Sequence, residues 1–161
     1  YDLGHRQIAA SAVPNRVAHS YIRDSAFADV ASELGMRYRC LHTDYTPETG
    51  REATKRLLAF SEHPTAIIYD NDVMALAGLG VAASQGIKVP EEISIMSWDD
   101  SLMCTAAYPN LTAMGRDVVD TGKQAAGLLL KLIGGERVGH LMEGPYELRA
   151  RASTGPAPAA E

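Results

Sequence analysis

Along the chain, short runs of β-branched and apolar residues alternate with longer segments whose apolar positions recur at helical spacing, and a polar break separates each from the next. Gln7 to Val13 reads as a strand, and Val17 to Leu34 as a helix closed by Gly35, a residue that accepts the left-handed conformation at a helix end. Tyr38 to His42 is a second strand. Thr46-Pro47-Glu48 then opens a helix to about Phe60, with a hydroxyl cap, proline at the first helical position and an acid in the first turn. Thr65 to Tyr69 is a third strand, Asp72 to Gln85 a helix ended by Gly86, and Ile93 to Ser97 a fourth strand. Strands alternating with helices of this length predict parallel pairing through right-handed crossovers, hence an α/β fold with a parallel sheet flanked by helices.

Past Pro109 the rhythm changes. A short run from Leu111 to Met114 precedes a long helix from about Asp117 to Ile133, and extended pieces follow around Leu141 and from Tyr146 to Arg151. Gly155 to Glu161, rich in proline and alanine, has nothing to bury and is expected to be a disordered tail.

At 161 residues with 46% hydrophobic content, the chain is expected to form about one compact domain. Its formal charge of −5 leaves no basic footprint for gripping nucleic acid or an anionic membrane. The two cysteines, Cys40 and Cys104, form no C-x-x-C pair and are expected to be buried thiols in a reducing compartment. No apolar run is long enough to span a membrane, and no signal-peptide pattern opens the chain. Because the chain opens on Tyr1, a missing native N-terminus is expected. The five histidines are scattered without an i, i+4 pair, so no metal or other cofactor is expected.

In an open parallel sheet, ligands bind beyond the carboxyl ends of the strands. The residues there are Pro14-Asn15, Thr43-Asp44-Tyr45, Asp70-Asn71-Asp72 and Trp98-Asp99-Asp100, with Arg23 on the first helix within reach. Carboxylates, an amide and aromatic faces suit a polyhydroxylated ring, which needs acceptors for its hydroxyls and a flat apolar surface for its C–H face. Each position also has a plainer explanation: Asn71 or Asp72 as a helix cap, Asp99-Asp100 as a turn, Arg23 as a solvated charge, Tyr45 or Trp98 as partial core. Asp70-x-Asp72 after a strand also resembles the aspartate motif of haloacid dehalogenase-type phosphatases, with Asp99 and Asp100 as magnesium ligands. Met74 stands where that motif expects threonine or valine.

"LGHRQIA", "PTAIIYDNDVMALAGL", "VPEEISIMSWDD", "PNLTAM" and "RAST", in that order and spacing, resemble the effector-binding core of the LacI/GalR family of bacterial transcription regulators. The resemblance covers roughly residues 1 to 154 and implies a periplasmic-binding-protein-like (type I) fold in which two subdomains clamp a small molecule. It implies mainly the C-terminal subdomain over residues 1–108, a crossover helix region over 109–135 and returning strands over 136–154, with 155–161 as a tail. It further implies no enzymatic activity, a sugar or nucleobase effector, a homodimer in the cytoplasm, and operator DNA bound only through a helix-turn-helix outside this chain. The alternative carrying the same fold is a periplasmic sugar-binding transport protein.

Residue by residue, the resemblance implies that Arg23 reaches ligand hydroxyls, Tyr45 stacks on the ligand, Asn71 accepts from and donates to it, and Asp99 is the first acid of the strand-end pair, beside Trp98. Ala12-Val13, Ala26, Ser97 and Trp98 depart from the family pattern and are expected to narrow the cleft floor. The helix from Val73 to Ala83 is apolar or small on every face, so a second buried side is expected. The resemblance places a dimer interface there, through Met74, Leu76 and Leu79. Val118, Val119, Gly122, Ala125, Ala126, Leu129, Leu130 and Ile133 form an apolar stripe on the long helix, expected to fold back, swap between chains or fray.

Overall fold

A computed structural model describes residues 1–12, 18–140 and 144–159. Six strands form one sheet: β1 (Gln7–Ala12), β2 (Arg37–His42), β3 (Ala66–Tyr69), β4 (Ser94–Ser97), β5 (Thr112–Gly115) and β6 (Glu147–Arg149). Their order is β2-β1-β3-β4-β5-β6, and every pair is parallel except β5 with β6. The connecting helices are α1 (Ala18–Glu33), α2 (Pro47–Leu58), α3 (Asp72–Ser84), the short α4 (Leu102–Ala106) and α5 (Val118–Ile133). The expected α/β architecture is therefore observed, with boundaries shifted by a residue or two. Val13, Pro14, Asn15, Val17 and Leu141 lie outside the described residues.

Local chemistry sets the helix ends. Thr46 caps α2 by accepting from the Thr49 amide, with Pro47 as the first helical residue, and Asn71 caps α3 by accepting from the Met74 amide. Gly35 and Gly86 take positive φ at the turns after α1 and α3.

Strand alternation sends Ala9, Ile67, Tyr69, Ile95 and Ala113 into one cluster with Leu57 of α2 and Met74 and Ala75 of α3. The Tyr69 hydroxyl reaches through this cluster to Thr54 Oγ1 at 2.6 Å, and Thr54 in turn donates to the Gly50 carbonyl at 2.7 Å. Glycine is required where these layers meet. A Cβ on Gly50 would lie 2.9 Å from the Met74 Cα, and one on Gly78 would strike the Tyr69 hydroxyl.

This packing bears on two of the three residues expected at a dimer face. Met74 and Leu79 are 0% and 8% exposed within a single chain, so they pack in its own core. The sheet lies on one side of α3 and α2 on another, and together they absorb most of its apolar surface. What remains outward is a narrower strip of Val73, half-buried Leu76, Gly80 and Ala83.

Three further expectations are revised. Cys104 is buried, but Cys40 is only half-buried. The chain beyond Gly155 is tied down in part: Gly155 accepts from buried His5 Nε2 at 3.0 Å, and the Ala157 amide donates to the Leu3 carbonyl at 2.8 Å. His5 Nδ1 pairs with Thr65 Oγ1 at 2.8 Å, and burial lowers its pKa from 6.5. Helix α5 is formed over its whole length and buries none of its residues, with Leu130 69% and Ile133 74% exposed, so it does not fold back on the sheet.

Candidate effector-binding site

The strand-end loops converge at the carboxyl edge of the sheet. Asp70, at the end of β3, is buried and accepts from Ser20 Oγ at 2.5 Å and from Arg23 at 3.0 Å, which locks α1 to the sheet. Arg23 lies over the Trp98 ring, its guanidinium carbon 4.7 Å from the centroid. Phe27 meets the same indole edge-on at 5.9 Å. Trp98 is thus braced from behind by α1 and faces outward into an open cavity of about 470 Å³ beyond β4 and β5.

Asp72, Trp98, Asp99, Arg116 and Tyr146 are among the residues that line that cavity. Asp99 is exposed within it. Partial desolvation, then the neighbouring Asp72 carboxylate, pushes the Asp99 pKa up, against the pull of Arg23 and Arg116. Asp100 behaves oppositely. It is held by Arg151 at 2.7 and 2.9 Å and by Arg149 at 2.7 Å, and these bonds, Arg151 foremost, keep its carboxyl below the usual range. Asp100 therefore ties the chain around β6 to the end of β4.

The residues expected at the site divide accordingly. Trp98 and Asp99 line the cavity, and Arg23 stands behind the indole. Asn71 is committed on both sides of its amide, capping α3 through Oδ1 and donating to the Tyr45 carbonyl at 3.1 Å. Tyr45 adopts a φ of 68°, rare outside glycine, and its hydroxyl bonds His19 at 2.8 Å and Ser20 at 3.2 Å. Both brace the loop edge and do not line this cavity. Asp44 caps its own turn through Thr46 and Thr49, bonds that hold its carboxyl low. Arg116 and Tyr146 were not foreseen, because the strand-end rule points to loops after parallel strands, whereas Tyr146 precedes the antiparallel β6. Among the described residues, no group of three or more His, Cys, Asp or Glu is arranged to hold a metal ion.

The family described as a periplasmic binding protein-like domain matches residues 1–154. The HTH-type transcriptional repressor CytR of Escherichia coli K12 is 32% identical over 160 residues, covering 96% of this chain and 46% of that protein. A LacI family transcriptional regulator from Bifidobacterium animalis subsp. lactis is 61% identical with a TM-score of 0.90, over 96% of this chain and 57% of that one. The chain belongs to the LacI/GalR family. It spans about half the length of the curated relatives it matches. Another LacI family regulator, from Enterococcus faecium and with bound ribose, is 26% identical with a TM-score of 0.86, covering 96% of this chain and 58% of that structure. Family membership thus accounts for the α/β sheet, whose carboxyl edge carries Trp98 and Asp99.

Proposed function

We propose that this chain is the effector-binding domain of a LacI-type transcriptional regulator, and that its effector is a sugar held against Trp98 and Asp99. The observation that carries the reading is the cavity of about 470 Å³ at the carboxyl edge, walled by an indole and by the Asp72 and Asp99 carboxylates. The carboxylates accept hydrogen bonds from hydroxyls and the indole offers a face for C–H groups. The ribose held by the Enterococcus faecium relative has both kinds of group. In the longer protein, in the cytoplasm, occupancy controls operator binding through a differential affinity of the ligand for two arrangements of the subdomains.

The aspartate motif supports the phosphatase alternative less well, because Asp70 is already held by Arg23 and Ser20. Homodimerisation belongs to the proposal and moves to the outward strip of α3 together with Leu102, Met103 and Tyr108, which are 86%, 57% and 98% exposed.

Calorimetric titration with a panel of pentoses, hexoses and nucleobases tests the effector reading. A saturable heat with one of the sugars, weakened at least about tenfold by Asp99→Asn, is the expected result. Sugar binding left intact by that substitution contradicts it.

A further inference from the structure

Trp98 has a neighbour in the cavity that no part of the effector reading has used. The Tyr146 ring centroid lies 6.5 Å from that of the indole, with the two planes inclined by 33°. Each ring carries a guanidinium, Arg23 over Trp98 at 4.7 Å and Arg116 near Tyr146 at 5.4 Å. The rings line one cavity, and the Asp72 and Asp99 carboxylates belong to the same lining.

Tyr146 is 41% exposed, and its position is set by the chain next to it. Immediately after it, β6 is fixed to β5 through the Gly115–Glu147 and Met114–Leu148 pairs and to the end of β4 through Arg149 and Asp100. The ring is therefore held at the cavity while a large part of its surface stays open to whatever enters.

We propose that Tyr146 is a ligand-contacting residue, and that with Trp98 it forms a two-ring shelf selecting cyclic sugars over open-chain polyols. This inference rests on the effector reading and names the class of sugar. A closed sugar ring presents a rigid apolar C–H face that lies across two aromatic rings at once. An alditol with the same hydroxyls has no such face, and it must freeze several rotatable bonds to imitate one. The shelf also brings the ligand against Arg116 and Tyr146, which flank the two ends of the α5 excursion.

The sole tryptophan makes this measurable. Trp98 fluorescence of the 161-residue chain is followed during titration with D-ribose, D-glucose and D-galactose, and in parallel with ribitol, glucitol and galactitol. Wild type, Tyr146→Phe, Tyr146→Leu and Tyr146→Ala are compared, with Asp99→Asn as the control for the effector site and circular dichroism as the control for folding. The expected result is a saturable response to at least one ring sugar, about tenfold or more tighter than to its alditol. Tyr146→Phe retains that preference, while Tyr146→Leu and Tyr146→Ala weaken the sugar by about tenfold and narrow the ratio. Wild-type affinity in both the leucine and alanine variants, or equal binding of sugars and alditols, overturns the shelf. If Asp99→Asn still weakens the response about tenfold or more in that case, the effector reading stands. Silence of the wild-type chain toward the whole panel overturns both.

Discussion

Helices α3 and α5 are both rich in apolar residues and end differently. In α3 apolar side chains surround the axis, and eight of its residues are buried. In α5 they form a defined stripe facing a polar side, yet none of its residues is buried. A well-formed stripe shows that a helix has a partner. It does not place that partner within the same chain. The absence of a stripe in α3 reflects the sheet on one side and α2 on another, with close contacts at Gly50 and Gly78 that only glycine allows.

The largest expected effect is in the core. Met74→Ala removes a fully buried side chain and is expected to cost about 2–5 kcal/mol in urea unfolding, whereas Leu130→Ala in α5 is expected to stay within about 0.5 kcal/mol. Comparable losses at the two sites would show that α5 is packed in solution. Glycines sharpen the contrast. Gly78→Ala drives a methyl onto the Tyr69 hydroxyl and is expected to cost about 1–3 kcal/mol, while Gly127→Ala meets open space and is expected to slow amide exchange along α5.

A smaller effect follows from His5. Its folded-state pKa lies below 6.5, so its contribution to stability is complete above that pH and is lost as pH falls toward the folded value. Denaturation midpoints are expected to decline in the wild type as pH falls below about 6.5 and to flatten over that window in His5→Gln. An unchanged slope would show that another group titrates there. Asp100 adds a second decline at lower pH. Its folded pKa is depressed, so its stabilisation is present above the unfolded carboxylate value and fades as pH falls below it. The smallest change in stability is expected from Val73→Glu, within about 0.5 kcal/mol, with its readout in assembly: sedimentation shifts from dimer to monomer if the outward strip of α3 is the interface.

The two helices also show why some of the molecule was legible in the sequence and some was not. Alternating strands and helices, the Thr46-Pro47 start of α2, the Asn71 cap and the glycine stops are local signals, and the structure repeats them within a residue or two. The outward strip of α3 was not legible. On a helix apolar all round, sequence offers no contrast to separate Val73 and Gly80 from Met74 and Leu79, and the choice is made by α2 and the sheet. The anchoring of Gly155 and Ala157 was invisible for another reason: on the tail's side it uses only a backbone carbonyl and a backbone amide, which nearly every residue carries. Among the residues lining the cavity, Trp98 and Asp99 followed from strand ends. Tyr146 required knowing that β6 returns antiparallel beside β5, a pairing between segments separated by the whole of α5.

Hydrogen exchange with and without the sugar that gives the strongest calorimetric response tests the account most directly. Occupancy of the cavity is expected to protect the amides of residues 97–101, 114–117 and 144–147 and to leave the middle of α5 unchanged. Protection confined to other segments, or none under saturating sugar, would contradict an effector site at Trp98 and Asp99.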